Sequence, residues 1–257
     1  MISKNQVVFV RSLQQKKQRR EHGLFIAEGA KIVPEMLRSD FKIREIYALE
    51  SWCAANRGLA GATTLHEVTE QELARISGLV TPNEALAVAG IPRYELDYRS
   101  AGKTLTLVLD DIRDPGNLGT LIRIADWFGI RDIVCSEETA EAWNPKVVQA
   151  SMGSITRVRI HYTALVPFFE KIKSAHPVPV YGAFLEGESI YKTKFGNSGF
   201  LVIGNEAHGI SPEVASFITK KITIPSFSAT ENKTGEAESL NAAVAAAVIC
   251  SEIRRNG

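Results

Sequence analysis

TLTLVLDDIRDPGNLGTLIRIADWFG, residues 104–129, decides the architecture of this chain. It opens on TLTLVLD, an apolar run that reads as a buried strand. Pro115 and Gly116 then force a turn, and Asn117 stands where a helix N-cap belongs. The helix that follows is apolar at 118, 121, 122, 124 and 125. Downstream, two further polar clusters follow strand-like runs in the same way: GNEAHG (204–209) after FLVIG, and SLN (239–241) after KITIP. Three strand ends carrying Gly, Asn, Glu, Arg and Ser are what a ligand crevice at the carboxyl edge of an open α/β sheet requires.

Around that stretch, strands and helices alternate. RDIVCS, TRVRIHY, PVYGAFL, FLVIG and KITIP read as strands, and NPKVVQASMG, ALVPFFEKIKSA, SPEVASFIT and ESLNAAVAAAVICSEIRR as helices. Continuous apolar strands between helices imply a parallel sheet covered on both faces. Toward the amino terminus, residues 3–22 read as one polar helix, followed by LFIAEG, AKIVPEMLRS, REIYALE, SWCAANRGL, TTLHEVT, EQELARIS and ALAVAGI, a second and smaller α/β alternation. The expected division is a small α/β domain over 1–91, a linker over 92–103 (PRYELDYRSAGK) and a larger domain over 104–257.

Composition narrows the function classes. The 257 residues are 45% hydrophobic and 23% charged, so a sizeable core is expected. Cys53, Cys135 and Cys250 lie far apart with no C-x-x-C pair, against a zinc cluster or disulfide framework and in keeping with a reducing cytoplasm. No apolar run reaches bilayer length; the longest, LNAAVAAAVIC, reads as a buried helix. The net charge of +1 is unevenly spread: residues 1–22 hold Lys4, Arg11, Lys16, Lys17, Arg19 and Arg20 against the single acid Glu21. Such an arm suggests a polyanionic partner, although a solvated helix face gives the same pattern. Two decoys fall away. Gly102-Lys103-Thr104 lacks the upstream glycine of a phosphate loop and precedes a strand, and the sequon at Asn232 means little without a secretory signal.

Within the clusters, Thr120 and Arg123 fall three and six residues beyond Asn117, roughly on one face. A cation between Ile122 and Ile124 is expected to need a partner, either a ligand or an aspartate such as Asp110 or Asp111. Glu206, directly after a buried strand, accepts hydrogen bonds from ligand hydroxyls or is a plain loop carboxylate. His208 reads as a loop residue. Ser239 is a candidate cap of the last helix, although Ala242 three residues on gives no capping box, and Asn241 falls in the first turn, where a ligand on the helix terminus would meet it.

Taken together, DPGNLGTLIRIADWFG, NPKVVQASMGS, FLVIGNEAHGIS and the IPSF…ESLNAAVAAAV pair resemble, in order over residues 104–257, the motifs of the SpoU (TrmH-like) RNA 2′-O-ribose methyltransferases of the SPOUT class. Residues 5–90 resemble, more weakly, the small substrate-binding domain that many members carry ahead of the catalytic one. The resemblance implies a parallel α/β sheet ending in a deep trefoil knot, S-adenosylmethionine as methyl donor, RNA as substrate (ribosomal ahead of transfer RNA) and a cytoplasmic homodimer without metal. It assigns Gly204, Asn205, Gly209, Ile224 and Leu240 to the cofactor, and Asn117, Arg123, Glu206, Ser239 and Asn241 to the catalytic surround. Arg123 would serve as base in a desolvated site, or as phosphate anchor while water takes the proton. The polar loop 226–238, SFSATENKTGEAE, is longer than the family usually has and is expected to act as a flap. The alternative function is a catalytically silent RNA-binding or ribosome-assembly factor on the same fold. An unrelated nucleotide-binding enzyme is disfavoured because neither G-x-G-x-x-G nor a Walker pattern occurs.

Overall fold

The computed structural model describes residues 2–175, 177–227 and 239–256. It divides into two compact units: residues 1–93 with 141–157, and residues 94–140 with 158–257.

The first unit opens on α1 (Lys4–Ser12) and α2 (Lys16–His22), where the sequence suggested one helix. Ser3 and Gln6 form a capping box that starts α1. After a turn through Gln14 and Gln15, Gly23 ends α2 in the left-handed conformation at φ 62°. α1 is amphipathic: Val7 and Val10, with Leu13 just beyond its end, pack into a core with Tyr47, Leu73 and Ile76. There follow β1 (Leu24–Glu28), α3 (Ile32–Leu37), β2 (Ile43–Ala48), α4 (Glu50–Ala60), β3 (Thr64–Glu67), α5 (Glu70–Ile76) and β4 (Ala85–Gly90). The sheet runs β1-β4-β2-β3, with β4 antiparallel to both neighbours and β2 parallel to β3.

The chain returns to this unit through residues 141–157, which carry α7 (Pro145–Ala150). Trp143 packs on Phe25 with ring centroids 4.9 Å apart and on Phe41 at 6.0 Å. Arg157 Nη1 donates to Glu35 Oε2 at 2.9 Å. Arg19, only 1% exposed, donates to the Leu13 and Gln14 carbonyls at 3.0 and 2.8 Å and pairs with Glu141. A stretch expected to stay with the larger domain is thus held by an aromatic cluster and two ion pairs in the smaller unit. The expected linker also differs: from Tyr94 onward it belongs to the second unit, where Tyr98 lies 6.0 Å from Phe168.

The second unit contains β5 (Leu105–Leu109), α6 (Pro115–Trp127), β6 (Asp132–Cys135), β7 (Arg159–Tyr162), α8 (Leu165–Ala175), β8 (Val180–Ser189), β9 (Gly199–Ile203), α9 (Pro212–Ala215), β10 (Lys220–Thr223) and α10 (Ala242–Asn256). Its sheet runs β10-β8-β9-β5-β6-β7, and each adjacent pair is parallel. All five residues of both central strands, β5 and β9, are buried, as a doubly covered sheet demands. Residues 228–238 of the loop before α10, and with them the flap and the chain path on which a knot would turn, lie outside the described residues.

Candidate active site

The site forms where β5 and β9 end side by side, with Leu109 opposite Ile203. Directly beyond them Asp110 N–H donates to the Ile203 carbonyl at 2.9 Å. Asp110 is 6% exposed, and its Oδ2 accepts from both the backbone N–H and the hydroxyl of Ser211, each at 2.7 Å. Asp111 follows at φ 60°, a left-handed conformation that Asp tolerates better than most residues. It is held from two sides: its N–H donates to Ser136 Oγ at 2.9 Å, and its carbonyl accepts from Asn205 Nδ2 at 2.8 Å. The Asp111 carboxylate takes Arg113 Nε at 2.7 Å and raises that guanidinium's pKa above its usual value. Both aspartates are therefore engaged, and neither pairs with Arg123.

The N-cap of α6 is Asp114, not Asn117. Its side chain accepts from Asn117 N–H at 2.8 Å, with Pro115 at the first helical position. Asn117 thus enters the first turn with its own amide group free to act elsewhere. Thr120 turns back to the Gly116 carbonyl at 2.9 Å. Thr120, Arg123 and Trp127 form an exposed stripe along α6, whereas Asn117 is half-buried. Arg123 is exposed, and its side chain has no acceptor among the described residues, so the expectation of an enclosed cation needing a partner does not hold for the single chain.

Residues 204–209 close into a tight loop in which Asn205 and Gly209 exchange backbone hydrogen bonds at 3.0 and 2.8 Å. A Cβ on Gly204 would lie 2.2 Å from the Gly209 carbonyl carbon, so only glycine fits there. Asn205 Oδ1 accepts from Ala207 N–H at 2.8 Å and His208 N–H at 3.2 Å, which rigidifies the crown. Glu206 and His208 project from it, exposed.

Asn241, not Ser239, caps α10. Its Oδ1 accepts from Ala243 and Val244 N–H at 3.0 and 3.3 Å, while its Nδ2 donates to Asn117 Oδ1 at 2.9 Å. Asn117 Nδ2 in turn donates to Glu206 Oε1. One hydrogen-bonded chain, Asn241–Asn117–Glu206, therefore joins three clusters that are remote in sequence. Ser239 and Leu240 stand exposed immediately before it, and Ile224 is half-buried just past β10. α10 lies along α6, with Arg254 Nε donating to the Phe128 carbonyl at 2.9 Å.

Sequence reasoning weighed Asp110 and Asp111 only as partners for Arg123 and passed over Ser211. The signal for their part was a pair of acids at the end of a fully apolar strand, where buried carboxylates need fixed donors. Among the described residues no group of three or more His, Cys, Asp or Glu could hold a metal ion, and no helix is long and apolar enough to cross a membrane.

Residues 104–251 match the SpoU rRNA methylase family, and residues 4–87 match the MRM3-like substrate-binding domain. The chain belongs to the SpoU family. It is 30% identical over 245 residues to a 23S rRNA (guanosine(2553)-2′-O)-methyltransferase, RlmP, of Bacillus subtilis, covering 95% of this chain and 94% of the relative. A TrmH-family protein of Porphyromonas gingivalis superposes with a TM-score of 0.89 at 38% identity over the whole of both chains. An S-adenosylmethionine-bound rRNA methyltransferase of Sinorhizobium meliloti superposes with a TM-score of 0.84 at 29% identity, covering 99% of this chain and 96% of the other.

Proposed function

We propose that this SpoU-family chain transfers a methyl group from S-adenosylmethionine to a ribose 2′-hydroxyl of structured RNA, with ribosomal RNA the preferred class. The observation that carries the reading is the Asn241–Asn117–Glu206 chain beside the Gly204–Gly209 loop. The RlmP relative, which methylates 23S rRNA at this position of the ribose, supports it along nearly the whole length of the chain.

The residues at the strand ends suit the cofactor. Gly204 and Gly209 offer backbone without side-chain bulk, Asn205 turns its side chain to the Asp111 carbonyl and the loop's own N–H groups, and Ile224 and Leu240 add apolar surface beside polar groups, as an amphipathic nucleoside needs. S-adenosylmethionine supplies an electrophilic sulfonium methyl, so an aligned hydroxyl and an outlet for its proton suffice. Glu206 has one carboxylate oxygen taken by Asn117, which leaves the second to accept a ribose hydroxyl. Asn117, held by Asn241, fixes the angle of that carboxylate. Ser239 flanks the same point. Arg123, exposed in the single chain, serves the RNA phosphate as a bidentate donor. The attacking 2′-hydroxyl proton then leaves to water. The sulfur–methyl bond breaks as the oxygen–carbon bond forms, and no metal takes part.

The same reading includes a trefoil knot in the second unit, a small substrate-binding domain ahead of a catalytic domain, a cytoplasmic location and a homodimer. Trp127, 85% exposed on α6, and Val244 and Leu240, each 49% exposed at the adjoining α10, support the dimer.

The test is incubation with S-adenosylmethionine carrying a labelled methyl group and ribosomal or transfer RNA, followed by mapping of 2′-O-methyl sites. Label on one ribosomal nucleotide is the expected result. Calorimetry that detects no S-adenosylmethionine binding would overturn the enzyme reading.

A further inference from the structure

The geometry points to α1 and α2 as a preorganised cationic face that tracks an RNA phosphate backbone, distinct from the methyl-transfer site. This rests on the RNA reading above and specifies which surface of the first unit holds the polyanion.

Six cations and one acid occupy residues 4–21, whereas the rest of the first unit up to residue 93 carries seven cations and nine acids. The fold sorts the six. Arg19 turns inward to the Leu13 and Gln14 carbonyls and to Glu141, pinning the joint between the two helices. Lys4, Arg11, Lys16, Lys17 and Arg20 are all exposed, and their side chains meet no carboxylate among the described residues. On α1, Lys4, Val8 and Arg11 follow one another at i, i+4 and i+7, an exposed stripe that borders the buried one of Val7 and Val10. On α2, Lys16 and Lys17 lie four and three residues before Arg20, again on one side. Arg44 adds a further guanidinium 5.1 Å above the Phe9 ring.

A solvated face would carry the same residue types, but two features set this one apart. The charge is nearly unmixed, so it repels itself unless a polyanion covers it. The helices are also fixed, by a capping box, a left-handed glycine and a buried arginine, so little backbone entropy remains to be lost on binding. Phosphate neutralisation by such cations releases counterions and carries no sequence information.

The experiment follows fluorescence anisotropy of labelled RNA hairpins of several sequences against salt concentration, for the wild type and for the combined Lys4→Gln, Arg11→Gln, Lys16→Gln and Lys17→Gln variant. The expected result is a salt slope shallower by about 3 and binding weaker by at least about tenfold, uniformly across hairpins. S-adenosylmethionine affinity and the melting temperature should stay unchanged. A control with Lys173→Gln, Lys192→Gln and Lys194→Gln should bind like the wild type. An unaltered slope in a folded quadruple variant overturns the face alone. A wild type that binds no hairpin at any salt concentration sinks the RNA reading with it, and a loss confined to one hairpin sequence would mean base readout and also overturn the proposal.

Discussion

Asn241 does two jobs with one side chain, and the two can be separated. Its Oδ1 caps α10 and its Nδ2 donates to Asn117. Asn241→Asp keeps the acceptor, and Asp is as good a cap as Asn, so stability should hold. The donor is gone, so Asn117 and Glu206 lose their orientation, and turnover should fall by about 100-fold, the scale of one lost positioned donor. Asn241→Ala should lose both, with about 1 kcal/mol of stability removed as well. Single-turnover methylation beside urea unfolding distinguishes the two outcomes, and equal stability loss in both variants would contradict the division of labour. Arg19 is the other residue with an outsized effect. Arg19→Ala strands Glu141 and two buried carbonyls, and should cost about 3 kcal/mol in urea unfolding. A loss as small as that of an exposed-lysine substitution would show the pair to be dispensable.

Among the elements, the loop between β9 and α9 permits the sharpest test. Gly204→Ala drives a methyl into the Gly209 backbone, which has no flexible side chain to move aside. The loop must open, and S-adenosylmethionine affinity measured by calorimetry should fall by at least about tenfold, while the strands beneath stay folded. Wild-type affinity would mean that the crown relaxes freely. Much of this level could be read in advance. Within TLTLVLD and FLVIG the strands β5 and β9 are buried at every position because both faces of their sheet are covered, and the Gly-Asn-Glu cluster announced itself by following one of them. The caps were misplaced because each helix start offers two capping residues within one turn, and only backbone geometry chooses Asp114 over Asn117 and Asn241 over Ser239. Arg19 looked like one more surface cation, since its charge partner, Glu141, lies far along the chain. The allegiance of residues 141–157 was hidden for the same reason: Trp143 meets Phe25 and Phe41 through contacts that no local periodicity encodes.

For the whole molecule, the proposed dimer decides what Arg123 can do. Trp127 lies four residues beyond Arg123 on the exposed side of α6, beside a helix whose own outer side shows Val244. A second copy seated on Trp127 would take the guanidinium out of bulk water, where a bidentate bond to an RNA phosphate is stronger than at an open surface. Trp127→Glu places a charge on that face. Sedimentation should then give a monomer at concentrations where the wild type is a dimer, with the first unit still binding RNA hairpins and methyl transfer reduced by at least about tenfold. Arg123→Lys extends the test within the dimer. A phosphate anchor keeps its charge in lysine and loses only bidentate geometry, so RNA affinity should drop modestly and the pH profile of turnover should keep its shape. A base swapped for lysine would instead move the alkaline limb of that profile. A Trp127→Glu protein that remains dimeric and fully active would mean that the copies meet elsewhere, and Arg123 would then act from solvent as a phosphate anchor alone.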